Sequence, residues 1–360
     1  MKKLLISSGI ENIIPLGRTF SRLGYEVKVF NPDLEISPVD EYFFKPANNL
    51  LRNTGIAKDR PFGRASRHRS DRYKIMKLSE VVREFRPDIF LHERGLAMPP
   101  DFMQELKGDL GVKLTIAWWT KGLQWVDMAV KDARLFDYYF FIHRSFVETC
   151  RSEGLDNCYY LPYAVDKDLF HKIELSGEDT RKYGCDVAFV GGWFPNRQEI
   201  IEDIVADTDI RLRIWGPKWK RKNITSCRLL RSVAGVSLYG EGLVKQYSAA
   251  KVNLNISKWL GKSDSGLNLR IFEIPRCGGF LLTDYIEELD EFYEAGREIE
   301  TYRDMAELKD KMRFYLKNDG AREEIARRGY ERAMKMPGWE ERIRQMMDLI
   351  SESSGQDWHA

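Results

Sequence analysis

The sequence predicts an α/β protein of two doubly wound domains, and three observations carry that expectation. The chain has 360 residues, enough for two domains of ordinary size. Two successive series of short apolar runs alternate with helical segments, which is the pattern of parallel sheets joined by crossover helices. A stretch reading Pro162-Tyr163-Ala164-Val165-Asp166 separates the two series as a linker.

In the first series the strands are expected at Lys3–Ser7, Glu26–Phe30, Pro87–Arg94, Lys113–Trp118, Asp137–Ile142 and Cys158–Leu161. Helices are expected at Ile13–Leu23, ended by Gly24, at Lys74–Phe85 and at Ser145–Gly154. The second series places strands at Asp186–Val190, Arg211–Trp215, Val236–Leu238, Val252–Ile256 and Phe280–Thr283. A charged helical tail follows, with segments Asp304–Asn318, Ala321–Met334 and Trp339–Ser351. The expected domains are 1–165 and 166–337, with 338–360 as a closing helix, and the two doubly wound sheets are expected to face each other across a cleft.

Composition narrows the functional classes. A hydrophobic content of 43% fills ordinary cores, and a formal net charge of +2 gives no bulk attraction to nucleic acid. The five cysteines include no C-x-x-C pair, which argues against a disulfide framework or zinc site and for a reducing, cytoplasmic setting. The opening apolar run is broken by Ser7-Ser8-Gly9 and Glu11, so it reads as a strand rather than a signal peptide. Nothing approaches the ~20 apolar residues of a membrane span. H-E-x-x-H, G-x-S-x-G and P-loop patterns are all missing, leaving metalloprotease, hydrolase and kinase readings without an anchor. No metal and no resident cofactor are expected.

The stretch 251–284 concentrates the chemistry. A strand, a loop rich in Gly, Ser, Lys and Asp, a helix and a second strand form one parallel crossover unit, and such loops bind ligands at strand C-termini. Ser265-Gly266-Leu267-Asn268 is expected at a helix start, where free N–H groups favour anions, with Ser257, Lys258, Lys262 and Arg270 nearby; a solvated loop with a serine cap explains the same residues. Glu273 sits among Ile271, Phe272, Ile274 and Pro275, an apolar setting for a carboxylate, about two turns into that helix. Its partner is either a ribose diol or Arg270, three residues earlier.

Val187–Arg197 repeats the logic, with Gly191 and Gly192 after a strand and Arg197, a residue suited to a diphosphate, at a helix start. Gly216 opens a loop rich in Trp, Lys and Arg, and Tyr239-Gly240 follows the next expected strand as a candidate base contact; each also reads as an ordinary loop. Lys58–Lys74 carries seven Lys or Arg against two Asp, either a solvated loop or a flap for an anionic acceptor or membrane.

Taken in order and spacing, FVGGWFPNR, LRIWG, LNIS and GLNLRIFEIPRCGGFLLTD resemble the CgeB-like glycosyltransferases, across about the last half of the chain. The resemblance implies two Rossmann-like domains in the GT-B arrangement, with the last helix around Trp339–Ile350 crossing back to the first domain. It further implies a hexosyltransferase-type enzyme, in which a nucleotide-sugar donor is bound by the second domain and an acceptor by the first. Many relatives carry two glutamates eight positions apart; Glu273 matches the ribose-binding one, and Ser265 stands in place of the other. That departure bears on the sugar and on whether configuration is retained. For an inverting reaction the candidate bases are His92 and Glu93, with Glu11 next; a core histidine and a surface ion pair are their plainer readings. The acceptor is open among a glycan, a protein, a lipid-linked sugar and nucleic acid, with peripheral membrane contact through the basic segments. A non-catalytic sugar-nucleotide binder and an epimerase remain alternatives.

Overall fold

A computed structural model describes residues 1–54, 63–93, 96–120, 126–207, 210–221, 224, 226–257 and 266–360. The described residues separate into two compact units, one from those of 1–162 with 339–360, the other from those of 163–338.

In the first unit the apolar runs become β1 (Lys3–Ser8), β2 (Glu26–Phe30), β3 (Ile89–Glu93), β4 (Leu114–Trp119), β5 (Tyr138–Phe141) and β6 (Cys158–Tyr160). They pair in parallel in the order β2-β1-β3-β4-β5-β6. Every residue of β3 and β4 is buried, as a sheet covered on both faces requires. The helices are α1 (Ile10–Arg22), α2 (Lys45–Asn53), α3 (Gly63–Phe85), α4 (Pro100–Lys107), α5 (Val126–Ala133) and α6 (Arg144–Ser152). Leu16 and Phe20 of α1, one turn apart, are fully buried, and Gly24 ends the turn at φ +95°. The sequence reading starts the third helix at Lys74, but α3 begins at Gly63. The run between them, RASRHRSDRY, is rich in Arg with one Ala and no Gly or Pro, and sustains a helix as readily as a loop.

The second unit contains β7 (Cys185–Val190), β8 (Leu212–Trp215), β9 (Val233–Gly235), β10 (Ala250–Asn255), β11 (Leu281–Asp284) and β12 (Glu300–Tyr302), ordered β12-β11-β10-β7-β8-β9 and all parallel. Its helices are α7 (Gly177–Tyr183), α8 (Pro195–Asp207), α9 (Cys227–Ser232), α10 (Glu241–Ala249), α11 (Arg270–Arg276), α12 (Met305–Lys317) and α13 (Asp319–Met334). The last helix, α14 (Trp339–Ser354), belongs to the first unit. There Trp339 packs edge-on against Trp118 at 5.5 Å, and Ile343, Met346 and Ile350 are fully buried.

Three expectations need correction. The strand placed at Val236–Leu238 lies at Val233–Gly235 instead. Gly235 lets the backbone close on the Trp215 ring, where a Cβ would stand 2.5 Å from the ring, while Val236 is exposed. β12 was not foreseen because it opens on a glutamate; Glu300 is nonetheless buried and ion-paired with Lys311 at 3.0 Å, tying β12 to α12. Finally α11 starts at Arg270, so Glu273 lies in its first turn rather than two turns in.

The ends of β7 and β8 meet backbone to backbone. A Cβ on Gly216 would stand 1.9 Å from the Gly191 carbonyl oxygen, whereas one on Gly192 would meet only Pro217 Cγ at 3.5 Å. Gly216→Ala is therefore expected to cost about 3 kcal/mol, the upper end for overpacking, and Gly192→Ala within about 0.5 kcal/mol, both read by urea unfolding. Equal effects would mean that this contact does not set the loop. Trp339→Ala removes a buried ring from the first unit and is expected to lower its stability by about 3–5 kcal/mol in the same measurement.

Candidate functional site

In the second sheet the strand order reverses between β7 and β10, and a doubly wound sheet binds its ligands outside the strand ends at that point. Two segments leave the sheet there, 191–194 after β7 and 256–257 after β10, and the described chain resumes at 266–269 before α11. Arg197, in the first turn of α8, ties them together. Its guanidinium is 2% exposed and donates from Nη1 to the Gly192 carbonyl at 2.9 Å and from Nη2 to the Ile256 carbonyl at 3.1 Å. It also lies over the rings of Phe189 and Phe194. Burial, with the charge of Arg270 beside it, pushes the Arg197 guanidinium down to about 9, and Asp284 acts in the opposite sense.

Beneath the second loop is a buried polar network. The Asn255 amide donates to Ser257 Oγ at 2.9 Å and to Thr283 Oγ1 at 3.0 Å. The Asn268 amide donates to Asn255 Oδ1 at 3.2 Å and Ser257 Oγ at 3.0 Å, and Asn268 Oδ1 accepts from the Arg270 N–H at 3.1 Å. Asp284 Oδ1 accepts from the Ser257 N–H at 2.8 Å, and Tyr302 donates its hydroxyl hydrogen to the Asn255 carbonyl at 3.1 Å. Both ends of the loop are thus pinned to the ends of β10, β11 and β12. Asn255, Thr283, Asp284 and Tyr302 escape a sequence reading. Their only advance sign is an asparagine within the apolar run of β10 and a Thr-Asp pair ending β11.

Glu273 is buried in the first turn of α11 and accepts from the Tyr247 hydroxyl at 3.2 Å. Burial and then the Glu273 charge hold the Tyr247 hydroxyl well above its ordinary range, and the same two causes push the Cys277 thiol up. The charge of Arg270 is felt at Tyr247 as well as at Arg197. A carboxylate and two guanidinium groups therefore share one electrostatic neighbourhood at the ends of adjacent strands.

Of the residues singled out in the sequence, hydrogen bonds or close packing join Gly191, Gly192, Arg197, Gly216, Ser257, Asn268 and Arg270. Gly266 and Leu267 are buried in the stretch leading to Asn268. Lys258, Lys262 and Ser265 lie outside the described residues. The helix start expected around Ser265–Asn268 is at Arg270, with Leu269 as an N-cap that has no side-chain hydrogen bond, while Asn268 Oδ1 accepts from the Arg270 N–H two residues on. Tyr239 is 67% exposed beyond the end of β9, and Gly240 begins α10 at φ +57°. The loop from Trp215 does not offer its aromatics to a membrane: Trp219 is fully buried with Nε1 donating to the Gly191 carbonyl at 2.9 Å, and Trp215 Nε1 donates to Gln246 Oε1 at 2.8 Å.

In the first unit, His92 and Glu93 end β3, and both are buried. Glu93 accepts from Ser8 Oγ at 2.8 Å and from the Thr120 hydroxyl, so the ends of β1, β3 and β4 are joined through it. His92 Nδ1 is 3.3 Å from Ser7 Oγ, and its ring is stacked between Phe90 and Phe136. Ser8 and Thr120 were not anticipated as Glu93 partners. Nothing is described of the Glu11 side chain.

Residues 197–348 match the protein-family model described as glycosyl transferase-like. The chain is 24% identical over 262 residues to the spore protein CgeB of Bacillus subtilis strain 168, covering 69% of this chain and 78% of that one. Among solved structures it is similar to the sucrose-phosphate synthase of Thermosynechococcus elongatus, at TM-score 0.68 and 12% identity over 99% of this chain and 100% of that one. It is also similar to Anabaena Alr3699/HepE solved with UDP-glucose, at TM-score 0.66 and 12% identity over 98% and 100% of the two chains. At such identities the structural likeness shows the fold. The chain therefore has the two-domain GT-B fold, its resemblance to CgeB extends over most of its length, and residues 197–348 are similar to the glycosyl transferase-like family.

Proposed function

We propose that the protein is a hexosyltransferase that takes its sugar from a nucleotide-diphosphate donor bound at the ends of β7 and β10. The observation that carries this reading is the geometry at that point, where Arg197 ties the carbonyls that follow β7 and β10 and Arg270 opens the helix beyond the second of them. Burial first, and then the charge of Arg270, lowers the hold of Arg197 on its proton, and a bound diphosphate would offset that positive charge. Arg197 is enclosed by carbonyl groups and acts through its field and by fixing the loops. Arg270 is only half-buried and is the guanidinium available for direct contact. Glu273, one turn along the same helix, accepts the ribose hydroxyls. Alr3699/HepE, of the same fold, has been solved with UDP-glucose, which supports a nucleotide-sugar as the ligand class.

In the transfer, the bond between the anomeric carbon and the diphosphate oxygen breaks, a bond to an acceptor hydroxyl oxygen forms, and the hydroxyl's proton passes to the departing diphosphate. Charge on the departing diphosphate is met by the guanidinium groups, without calling on a metal or a resident cofactor. The acceptor belongs to the first unit in this reading, with a glycan, a protein, a lipid-linked sugar and nucleic acid as its open classes. His92 and Glu93 serve there as positioning groups, since both are buried and both Glu93 oxygens accept from hydroxyls. That same engagement is what favours the second reading, a sugar-nucleotide binder without transfer.

A thermal-shift panel of UDP, GDP and dTDP tests the donor assignment. Saturation at 100 times Kd adds about 2.7 kcal/mol to the folded state, so a true ligand gives a visible shift. At least one diphosphate is expected to stabilise the protein, with Glu273→Ala removing most of the response and Arg270→Gln weakening it. A panel with no shift, or a shift indifferent to Glu273→Ala, would overturn the assignment. Release of nucleoside diphosphate from the matching sugar donor then separates transferase from binder.

Asn268→Ala deletes two donors and the acceptor for the Arg270 N–H. It is expected to cost about 1–3 kcal/mol by urea unfolding and to weaken the nucleotide shift in parallel. Unchanged stability would show that the network does not hold the loop.

A further inference from the structure

The segment between β2 and α3 carries an apolar stripe that faces water, with charge of opposite sign at its two ends. Helical backbone runs from Pro38 to Asn53, with a π-helical turn at Asp40–Phe44 leading into α2. Val39, Phe43, Pro46 and Leu50 follow at i, i+4, i+7 and i+11, one helical stripe, and all four are exposed. Phe43 is 63% exposed, Leu50 65%, and Tyr42 beside them 79%. Leu34 and Ile36, which lead into the helix, are exposed as well, while Asp40 and Asn48 take its buried side. An aromatic side chain alone offers about 150–250 Å², so the exposed parts of these residues amount to roughly several hundred Å². That approaches the roughly 800 Å² that each partner buries in a specific interface. An apolar patch of this extent marks a surface where something docks.

Charge selects the occupant. Asp33, Glu35 and Glu41 stand at the beginning of the stripe, and Lys45, with Arg69 and Arg72 of α3, at its end. Contacts with α3 hold those two ends apart. Arg69 lies 4.6 Å over the ring of Phe44, whereas the charge of Glu35 is felt at Lys77, about two turns further along α3. The stretch from Glu35 to Phe44 therefore runs antiparallel to α3. Lys77 is itself paired with Glu80 at 2.7 Å, so the first end stays acidic. A surface of one sign would attract one end of this stripe and repel the other. A second copy of the same stripe, turned about a two-fold axis, satisfies both ends at once. It sets the carboxylates of Glu35 and Glu41 in each copy against Lys45 and Arg69 in the other, with the apolar rows between them. We propose that residues 34–50 form the contact between two copies of this chain, packed antiparallel across a two-fold axis. The proposal concerns the first unit alone and is independent of the donor assignment.

Sedimentation equilibrium of the full chain tests it. The population is expected to pass from mostly monomer to mostly dimer between about 1 and 100 µM, the weak end for an interface of this size. Phe43→Ser with Leu50→Ser is expected to raise the dimer Kd at least about tenfold. Its melting temperature, read where both proteins are monomeric, is expected to match wild type, because both side chains are exposed. Two charge reversals test the antiparallel arrangement. Glu41→Lys alone and Lys45→Glu alone each oppose like charges at both ends, and each is expected to raise Kd about threefold or more. Mixed in equal amounts, the two variants restore opposite charges at both ends and are expected to associate about as well as wild type. A wild type that stays monomeric at about 100 µM overturns the proposal, whatever else then binds the stripe. It is overturned too if the serine variant dimerises as well as wild type, or if the mixture associates no better than either reversal alone.

Discussion

The second unit turns on one buried guanidinium. Arg197 leaves the first turn of α8 and gives its two terminal nitrogens to carbonyls on the two loops that diverge where the strand order reverses. Stripping a cation of water is expensive, and removing one member of a buried charged arrangement typically costs about 3–5 kcal/mol. The group persists because backbone oxygens, aromatic faces and the charge of Asp284 replace the water it lost. The residues that leave β7 and β10, Gly192 and Ile256, are thereby held together. Gly191 and Gly216 follow from the same constraint. The chain must pass Gly191 against Gly216 with no room for a Cβ, so that the Gly192 carbonyl can meet the guanidinium.

The two sheets handle their polar ends in a related way. In each, side chains at the C-terminal ends of the strands exchange hydrogen bonds that the strand ladder no longer supplies. In the first sheet Glu93 gathers hydroxyls from the neighbouring strands; in the second, Asn255 and Asp284 gather Ser257, Asn268 and Thr283. Satisfied networks of this kind are rigid, and their members are costly to remove singly. The two glutamates proposed from the sequence differ on this ground. Glu93 has a hydroxyl on each oxygen and reads as a brace. Glu273, joined to Tyr247 at a longer 3.2 Å, is the one whose charge spreads to its surroundings.

Much of the architecture was legible in the sequence because parallel strands buried on both faces are nearly continuous apolar runs. β1 to β6 stand where those runs are, as do β7, β8, β10 and β11. Legibility failed where a strand carries its charge inward, as at Glu300 of β12, or where it is short and shaped by one ring, as at Gly235 of β9. The glycines, Arg197, Asn268 and Glu273 could be picked out because their types are unusual at strand ends and in apolar settings. What they do could not. Arg197 has the chemistry of a phosphate ligand and the position of a clamp, and only the two carbonyls reveal the second. Asn255, Thr283 and Tyr302 gave almost no signal, since their role depends on register between strands far apart in sequence.

The stripe on residues 38–50 was missed for an instructive reason. Periodicity alone locates an apolar helix face and assumes that it turns inward, because that is what burial ordinarily rewards. Here a second set of groups competes for the interior. Asp40 and Asn48 take the buried side of the same helix, and the π turn shifts the phase so that Tyr42 and Phe43 are left together outside. The same reasoning separates the two basic segments of this chain. Beside Gly216 the tryptophans are spent inside the fold, whereas beside α3 the aromatics remain outside.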